Sequence, residues 1–275
     1  MSITDDLFRL DGKKALVTGG ATGIGRMIAT ALVRAGADVM IASRKGPDCA
    51  EVAAELNAIA EKEGAGGKAQ GFAGDVSSEA GVSALVAEVK SRTDTLNILF
   101  NNAGATWGAP MSEFPYGSWA KVLDVNVTGL FHLTRDLLPL LEAAATGDDP
   151  ARVINLGSVM GTAALGDGAY SYAASKAAVH HLTRILGKEL AHNHITFNAF
   201  APGPFQSKMT AFATGTDEKA AKVGSTVPLR RIGSPDDIAG ASLFLCGKGG
   251  AYITGAIIPI DGGIHVQTGH ELFRD

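Results

Sequence analysis

Cysteine is nearly absent: the 275-residue chain has two, Cys49 and Cys246, far apart in sequence. That excludes a disulfide framework and any Cys-x-x-Cys metal or redox motif, and it points to a reducing compartment and a metal-free chemistry. Aromatics are scarce at 6%, so the core must be built from Ala, Val, Leu and Ile. Long hydrophobic runs are missing too. The most apolar stretches, such as Gly255 to Ile260, are far shorter than the ~20 residues a bilayer span requires, so no membrane partner is expected. There is no basic block that could neutralise a run of phosphates: 24 Lys and Arg stand against 28 Asp and Glu for a net charge of −4, spread along the chain, so nucleic acid is not an expected partner. Met1 to Leu10 carries Asp5 and Asp6 and lacks a basic stretch leading into an apolar one, so it does not read as a secretory signal and the expected location is cytoplasmic.

What the chain does have is glycine, 35 residues of it, and a 46% hydrophobic composition. Short Val/Ile/Leu-rich runs alternate with longer amphipathic stretches, the pattern of a parallel sheet covered by crossover helices. Strands are expected near Lys14–Thr18, Asp38–Ala42, Lys68–Ala73, Leu96–Phe100, Arg152–Leu156, Thr196–Phe200 and Ala256–Ile260. Helices are expected near Ile24–Ala35, Asp48–Glu63, Ser78–Arg92, Gly117–Ala144, Ala169–His192 and Pro235–Cys246. The fold class is therefore α/β: a Rossmann-type, doubly wound, seven-stranded parallel sheet with helices on both faces, in three layers and one domain over residues 1–275. Residues 203–228 break this regularity with Pro, Gly and Ser among exposed-looking Phe205, Met209 and Phe212. They leave a strand's carboxyl end, where ligands bind in such sheets, and read as a substrate lid.

Thr18-Gly-Gly-Ala-Thr-Gly-Ile-Gly25 follows the first strand and opens the first long helix. Backbone N–H groups and the helix dipole there suit a pyrophosphate, through Gly19, Thr22, Gly23 and Ile24. The pattern alone is weak in so glycine-rich a chain, and its strand-turn-helix setting gives it weight. After the second strand an acid would accept bonds from a ribose 2′-hydroxyl; here Ser43, Arg44 and Lys45 can instead bond a 2′-phosphate, which favours NADP(H) over NAD(H). A solvated basic pair is the plainer alternative. Asp75, with Val76 after the third strand, is placed for the adenine amino group, or is a surface turn residue. Tyr172-Ala-Ala-Ser-Lys176 puts a phenol and an ammonium on one helix face. A neighbouring cation should favour the phenolate and let it exchange a proton with a substrate oxygen. Ser158, at the same carboxyl edge, can bond that oxygen as charge develops on it. Tyr170 lacks a lysine four residues on and is assigned to packing or the rim.

In order and spacing, Thr18-Gly-xxx-Gly-x-Gly25, Asn101-Asn-Ala-Gly104, Asn126, Ser158 and Tyr172-xxx-Lys176 together resemble the short-chain dehydrogenase/reductase family, from about Leu10 to Gly263. The resemblance implies that Asn102, Ala103 and Gly104 border the cofactor adenosine. It makes Asn126 a fourth catalytic residue holding a water toward Lys176, with Lys176 also on the nicotinamide ribose. It sets Pro202, Gly203, Phe205 and Ser207 beside the nicotinamide, and it makes Ile260-Asp-Gly-Gly263 part of a homotetramer or homodimer interface. One departure is Thr22, where many NADP-preferring members carry a basic residue, so NADP preference rests mainly on Arg44. Thr106-Trp-Gly-Ala-Pro and Gly250 to Gly263 are similar to bacterial 3-ketoacyl reductases of the family. The implied activity is hydride transfer between NADP(H) and a carbonyl or secondary alcohol, with a 3-oxoacyl or similar apolar ketone as substrate. Trp107, Met111, Met160, Leu165, Phe205, Met209 and Phe212 are pocket candidates, each also explicable as packing. A sugar-like or small secondary alcohol is the alternative substrate, and a cofactor-sensing protein without catalysis is the rival class.

Overall fold

The computed structural model describes residues 2–165 and 168–267. Seven parallel strands form one sheet in the order β3-β2-β1-β4-β5-β6-β7. They are β1 Lys14–Thr18, β2 Asp38–Ser43, β3 Lys68–Ala73, β4 Ile98–Asn101, β5 Ala151–Leu156, β6 Ile195–Pro202 and β7 Ile257–Ile260. This is the expected Rossmann-type sheet. The strand order reverses between β1 and β4, and a crevice opens beyond their carboxyl ends.

The helices are α1 Ile3–Phe8, α2 Gly23–Arg34, α3 Gly46–Glu63, α4 Glu79–Lys90, α5 Gly117–Leu123, α6 Leu130–Ala144, α7 Tyr170–Glu189, α8 Ala211–Thr214, α9 Asp217–Gly224 and α10 Pro235–Cys246. Strands β4, β5 and β6 are buried along their whole length, as strands covered on both faces must be. Successive residues of β1 feed two cores: Ala15 and Val17 pack with Ile28 and Leu32 of α2 and Leu56 of α3 on one face. Leu16 packs with Leu85 of α4 and Leu133 and Leu137 of α6 on the other. The period of two along a strand produces this division, and each fully buried Leu or Val adds about 1.5–3 kcal/mol.

Three differences from expectation have physical causes. The continuous helix over Gly117–Ala144 is interrupted by a π segment, Asp124–Gly129. Gly129 sits so near the loop after β3 that a Cβ on it would lie 1.9 Å from the Val76 carbonyl oxygen. The unexpected helix α1 is closed by a capping box between Ser2 and Asp5. Residues 203–228, expected to be a lid, carry two short helices, α8 and α9, and Phe205 among them is 2% exposed rather than solvent-facing.

Candidate active site

The end of β1 is clamped to the segment leaving β4. Thr18, buried, donates its hydroxyl to the Phe100 carbonyl at 3.2 Å and accepts the N–H groups of Asn102 and Ala103 at 3.0 Å each. Asn102 donates its amide back to the carbonyls of Thr18 at 2.8 Å and Gly19 at 3.2 Å. This closeness needs glycine: a Cβ on Gly25 would fall 2.3 Å from Asn102 Nδ2 and 2.4 Å from the Gly19 carbonyl oxygen. Gly23 has φ +53°, a left-handed conformation, and faces Ser207. At the start of α2 Thr22 makes no side-chain cap bond, so first-turn N–H groups stay available for an anion. A bare glycine turn with an uncapped helix start fits a dinucleotide pyrophosphate.

A cleft of about 230 Å³ runs from this turn to the exit of β5. Gly19, Thr22, Gly23, Ile24, Asn102, Ala103, Gly104, Tyr172, Lys176, Pro202, Gly203, Phe205 and Ser207 all line it. Residues expected from the sequence to form the site, drawn from four separate segments, therefore share one cavity. Ser207 is held by Thr210, whose N–H donates to its hydroxyl at 3.2 Å. Phe205 reaches the cleft only in part, because its ring packs so closely over Gly233 that a Cβ there would be 2.2 Å from it. That ring belongs to the core on the α2 face, whereas Met209 and Phe212 are 41% and 81% exposed.

The candidates that follow β2 and β3 are set apart from this cleft. Arg44 and Asp75 line a separate depression of about 560 Å³. The Ser43 hydroxyl lies 3.1 Å from Cys49 Sγ and accepts the Lys45 N–H at 3.3 Å, so it stiffens the turn that presents Arg44 and Lys45. One Asp75 oxygen accepts the Ser77 N–H at 2.9 Å, the turn role weighed above. Val76 is buried in the core on the α6 face.

Tyr172 and Lys176 lie one turn apart on α7, with Lys176 Nζ 5.5 Å from the phenol ring centroid. The amine donates to the Leu156 carbonyl at the end of β5 at 2.6 Å, and burial lowers its pKa to about 8. In this arrangement burial outweighs the lowering of the phenol pKa expected from the lysine. Burial raises the Tyr172 pKa and the Ser158 hydroxyl, within bonding reach, offsets only part of that. Ser158 is buried, and its oxygen accepts the Met160 N–H at 3.2 Å. Asn126, buried in the π segment, does not bond Lys176 directly. Its amide accepts the Ala105 N–H at 2.7 Å and donates to the Ala105 carbonyl and to the Ser175 hydroxyl, both at 2.9 Å. Gly104 lies between the two: a Cβ on it would be 3.5 Å from Asn126 Oδ1 and 3.8 Å from Lys176 Nζ.

Ser175 and His180 were missed in the sequence. Ser175 donates to the Tyr172 carbonyl at 2.7 Å and so ties Asn126 to α7. His180, four residues after Lys176, faces Ser158; the spacing that marked Tyr172 and Lys176 extends to it. Tyr170 packs edge-on against Phe114 at 5.3 Å, the packing alternative of the two expected for it. Trp107 carries Lys121 Nζ 4.9 Å from its ring.

A family model described as enoyl-(acyl carrier protein) reductase matches residues 19–265. With this match and the site geometry, the chain belongs to the short-chain dehydrogenase/reductase family and is an NAD(P)(H)-dependent oxidoreductase. It is 44% identical to the rhamnolipids biosynthesis 3-oxoacyl-[acyl-carrier-protein] reductase of Pseudomonas aeruginosa, over 94% of this chain and 98% of that protein. It is 34% identical to the galactitol 2-dehydrogenase of Rhizobium johnstonii, over 93% of this chain and 96% of that one. Among solved structures, the Pseudomonas aeruginosa RhlG/NADP active-site complex superposes with a TM-score of 0.88 at 44% identity, covering 94% of this chain and 99% of that chain.

Proposed function

We propose that the protein reduces the carbonyl of a 3-oxoacyl or similarly apolar ketone with NADPH, and oxidises the matching secondary alcohol in reverse. The observation that carries this is the shared cleft. The glycine turn, Tyr172, Lys176 and the Pro202–Ser207 segment line one space, with apolar Met209 on its wall and Phe212 exposed on the helix that follows. The 44% identity to a 3-oxoacyl reductase supports the substrate class.

Bound NADPH supplies the hydride. Tyr172 gives a proton to the substrate oxygen, and Ser158 holds that oxygen in place. A half-buried phenol whose pKa is raised is a proton donor at neutral pH, which suits the reductive direction. Lys176, with a pKa near 8, sits where it can resupply a proton and grip the nicotinamide ribose. Asn126 fixes the far side of that path through Ala105 and Ser175. Gly19, Thr22, Gly23 and Ile24 take the pyrophosphate; Asn102, Ala103, Gly104, Asp75 and Val76 border the adenosine; Pro202, Gly203, Phe205 and Ser207 border the nicotinamide. Ser43, Arg44 and Lys45 recognise the 2′-phosphate, and no acid stands at that position to prefer NADH.

Residues 203–228 serve as the lid within a single domain. Assembly as a homotetramer or homodimer through Ile260 to Gly263 belongs to the same reading; β7 is half-exposed along most of its length, as an edge awaiting cover would be. A cytoplasmic setting fits two buried, unpaired thiols. A polyol substrate is the second reading, favoured by the galactitol dehydrogenase relative. A panel of 3-oxoacyl thioesters, simple ketones and polyols, followed by NADP(H) absorbance, separates the two: turnover of polyols alone refutes the first. In the same assay Tyr172→Phe is expected to cut turnover of every accepted substrate by at least a hundredfold, in line with ~10²–10⁴-fold for a general acid. Near-normal rates refute its role.

A further inference from the structure

Beyond β5 the chain turns through Gly157-Ser158-Val159-Met160-Gly161 and wraps around one side chain of α7, His180. The imidazole is 3% exposed. The Ser158 N–H donates to its Nε2 at 3.4 Å, and its Nδ1 lies 3.3 Å from the Thr162 hydroxyl. Glycines on both sides make the space. A Cβ on Gly157 would be 2.1 Å from Nε2, and one on Gly161 would be 2.8 Å from Cε1. The turn is thus shaped to this ring, and Ser158 is the residue gripped.

We propose that His180 is a positioning residue for Ser158, acting as a neutral imidazole. Its Nε2 accepts the Ser158 N–H, and its Nδ1–H, directed at the Thr162 hydroxyl, fixes that tautomer. The inference rests on the assignment of Ser158 to the substrate oxygen made above. Tyr172, Lys176 and His180 follow one another at intervals of four on α7, so phenol, amine and imidazole share one helix face. The helix that carries the proton donor thereby also sets the height of the serine opposite it. A charged ring would turn a second donor against the Ser158 N–H. Burial and the nearby charges of Arg184 and Lys176 oppose that, holding the His180 pKa down to about 4. A backbone N–H left without its acceptor lets the turn relax. A shift of about 1 Å in a positioning group can cost ~10²-fold in rate.

The test is steady-state reduction of the ketone accepted in the panel, alongside NADPH fluorescence titration and thermal unfolding. His180→Leu removes the acceptor and is expected to lower kcat at least tenfold while leaving the Kd for NADPH within about twofold. His180→Gln, which offers an amide oxygen near the same place, is expected to recover part of that loss. Should His180→Leu fail to fold, Thr162→Val decides. It frees the tautomer from the far side of the ring, and kcat is expected to fall several-fold with the Kd for NADPH unchanged. Unchanged kcat in whichever of the two variants is read overturns the proposal. Ser158→Ala run in parallel separates the two levels. Full activity there overturns the reading of the site and this inference with it, whereas loss there with full activity in His180→Leu overturns this inference alone.

Discussion

Replacing Lys176 by methionine should make the protein more stable while abolishing its turnover. The amine is fully enclosed, and burial brings its pKa from the ordinary 10.5 to about 8. At about 1.4 kcal/mol for each tenfold change in proton affinity, keeping the ammonium charged at pH 7 costs the folded state about 3 kcal/mol. Methionine removes that cost at similar volume. It also orphans the Leu156 carbonyl, which now receives the amine at 2.6 Å, and an unpaired buried acceptor costs about 1–3 kcal/mol. The net gain is about 0–2 kcal/mol at pH 7, toward the upper end where water in the cleft reaches the carbonyl. The pH dependence has a definite sign. Unfolded, the lysine keeps its proton up to about 10.5; folded, it loses it near 8. Between those values the unfolded chain binds more protons, so wild-type stability rises with pH. The advantage of Lys176→Met therefore shrinks above pH 8 and reverses by about 10.5, where only the lost hydrogen bond remains. Urea unfolding at fixed protein concentration, at pH 7 and pH 9.5, measures both ends. A methionine variant less stable than wild type at pH 7, or an advantage unchanged at pH 9.5, refutes the reasoning.

Arg44→Ala should weaken NADPH binding about tenfold to a hundredfold, the range for one lost hydrogen-bonded charge contact at ~1.5–3 kcal/mol, and leave NADH binding unchanged. Fluorescence titration with both nucleotides reads this directly, and equal weakening of the two would remove the guanidinium from the 2′-phosphate. Phe205→Ala should cost about 3–5 kcal/mol in urea unfolding, because the ring is 2% exposed and seated over Gly233. A loss below 1 kcal/mol would show that it is not a core residue.

The strand and helix frame was legible because buried parallel strands leave continuous apolar runs: β1 and β3 fall on the expected residues. Tyr172, Lys176, Ser158 and the glycine turn were legible as candidates because the chemistry proposed for them demands fixed residue types. The π segment was not, because nothing in its own composition marks it; only the folded chain shows Gly129 at its end lying against Val76, remote in sequence. Phe205 was misread because Pro and Gly around it signal a loop, while its burial depends on Gly233, far along the chain. The raised phenol pKa of Tyr172 was hidden for a similar reason. Spacing announces the lysine, but only the packed structure shows how much water is excluded. By contrast Ser2 and Asp5 were readable as a capping box, and α1 was overlooked for want of an apolar stripe behind it.

Asn101 and Asn155 are register partners in β4 and β5, and both are buried. Asn101 donates to the Thr134 hydroxyl of α6 and to Asn155 Oδ1, at 2.9 Å each, while Asn155 donates to Thr183 of α7 at 3.0 Å. The hydrophobic effect is non-directional, whereas hydrogen bonds add a fixed distance and angle to the register that packing sets. A slip of α7 by one turn would carry Tyr172 about 5.4 Å along the helix axis and would first have to break the bond at Thr183. The axial position of the phenol is thus referenced to a point about 16 Å down the helix, at a rise of ~1.5 Å per residue. A substitution at Thr183 or Asn155 would act on the reaction through alignment, with no contact to anything that reacts.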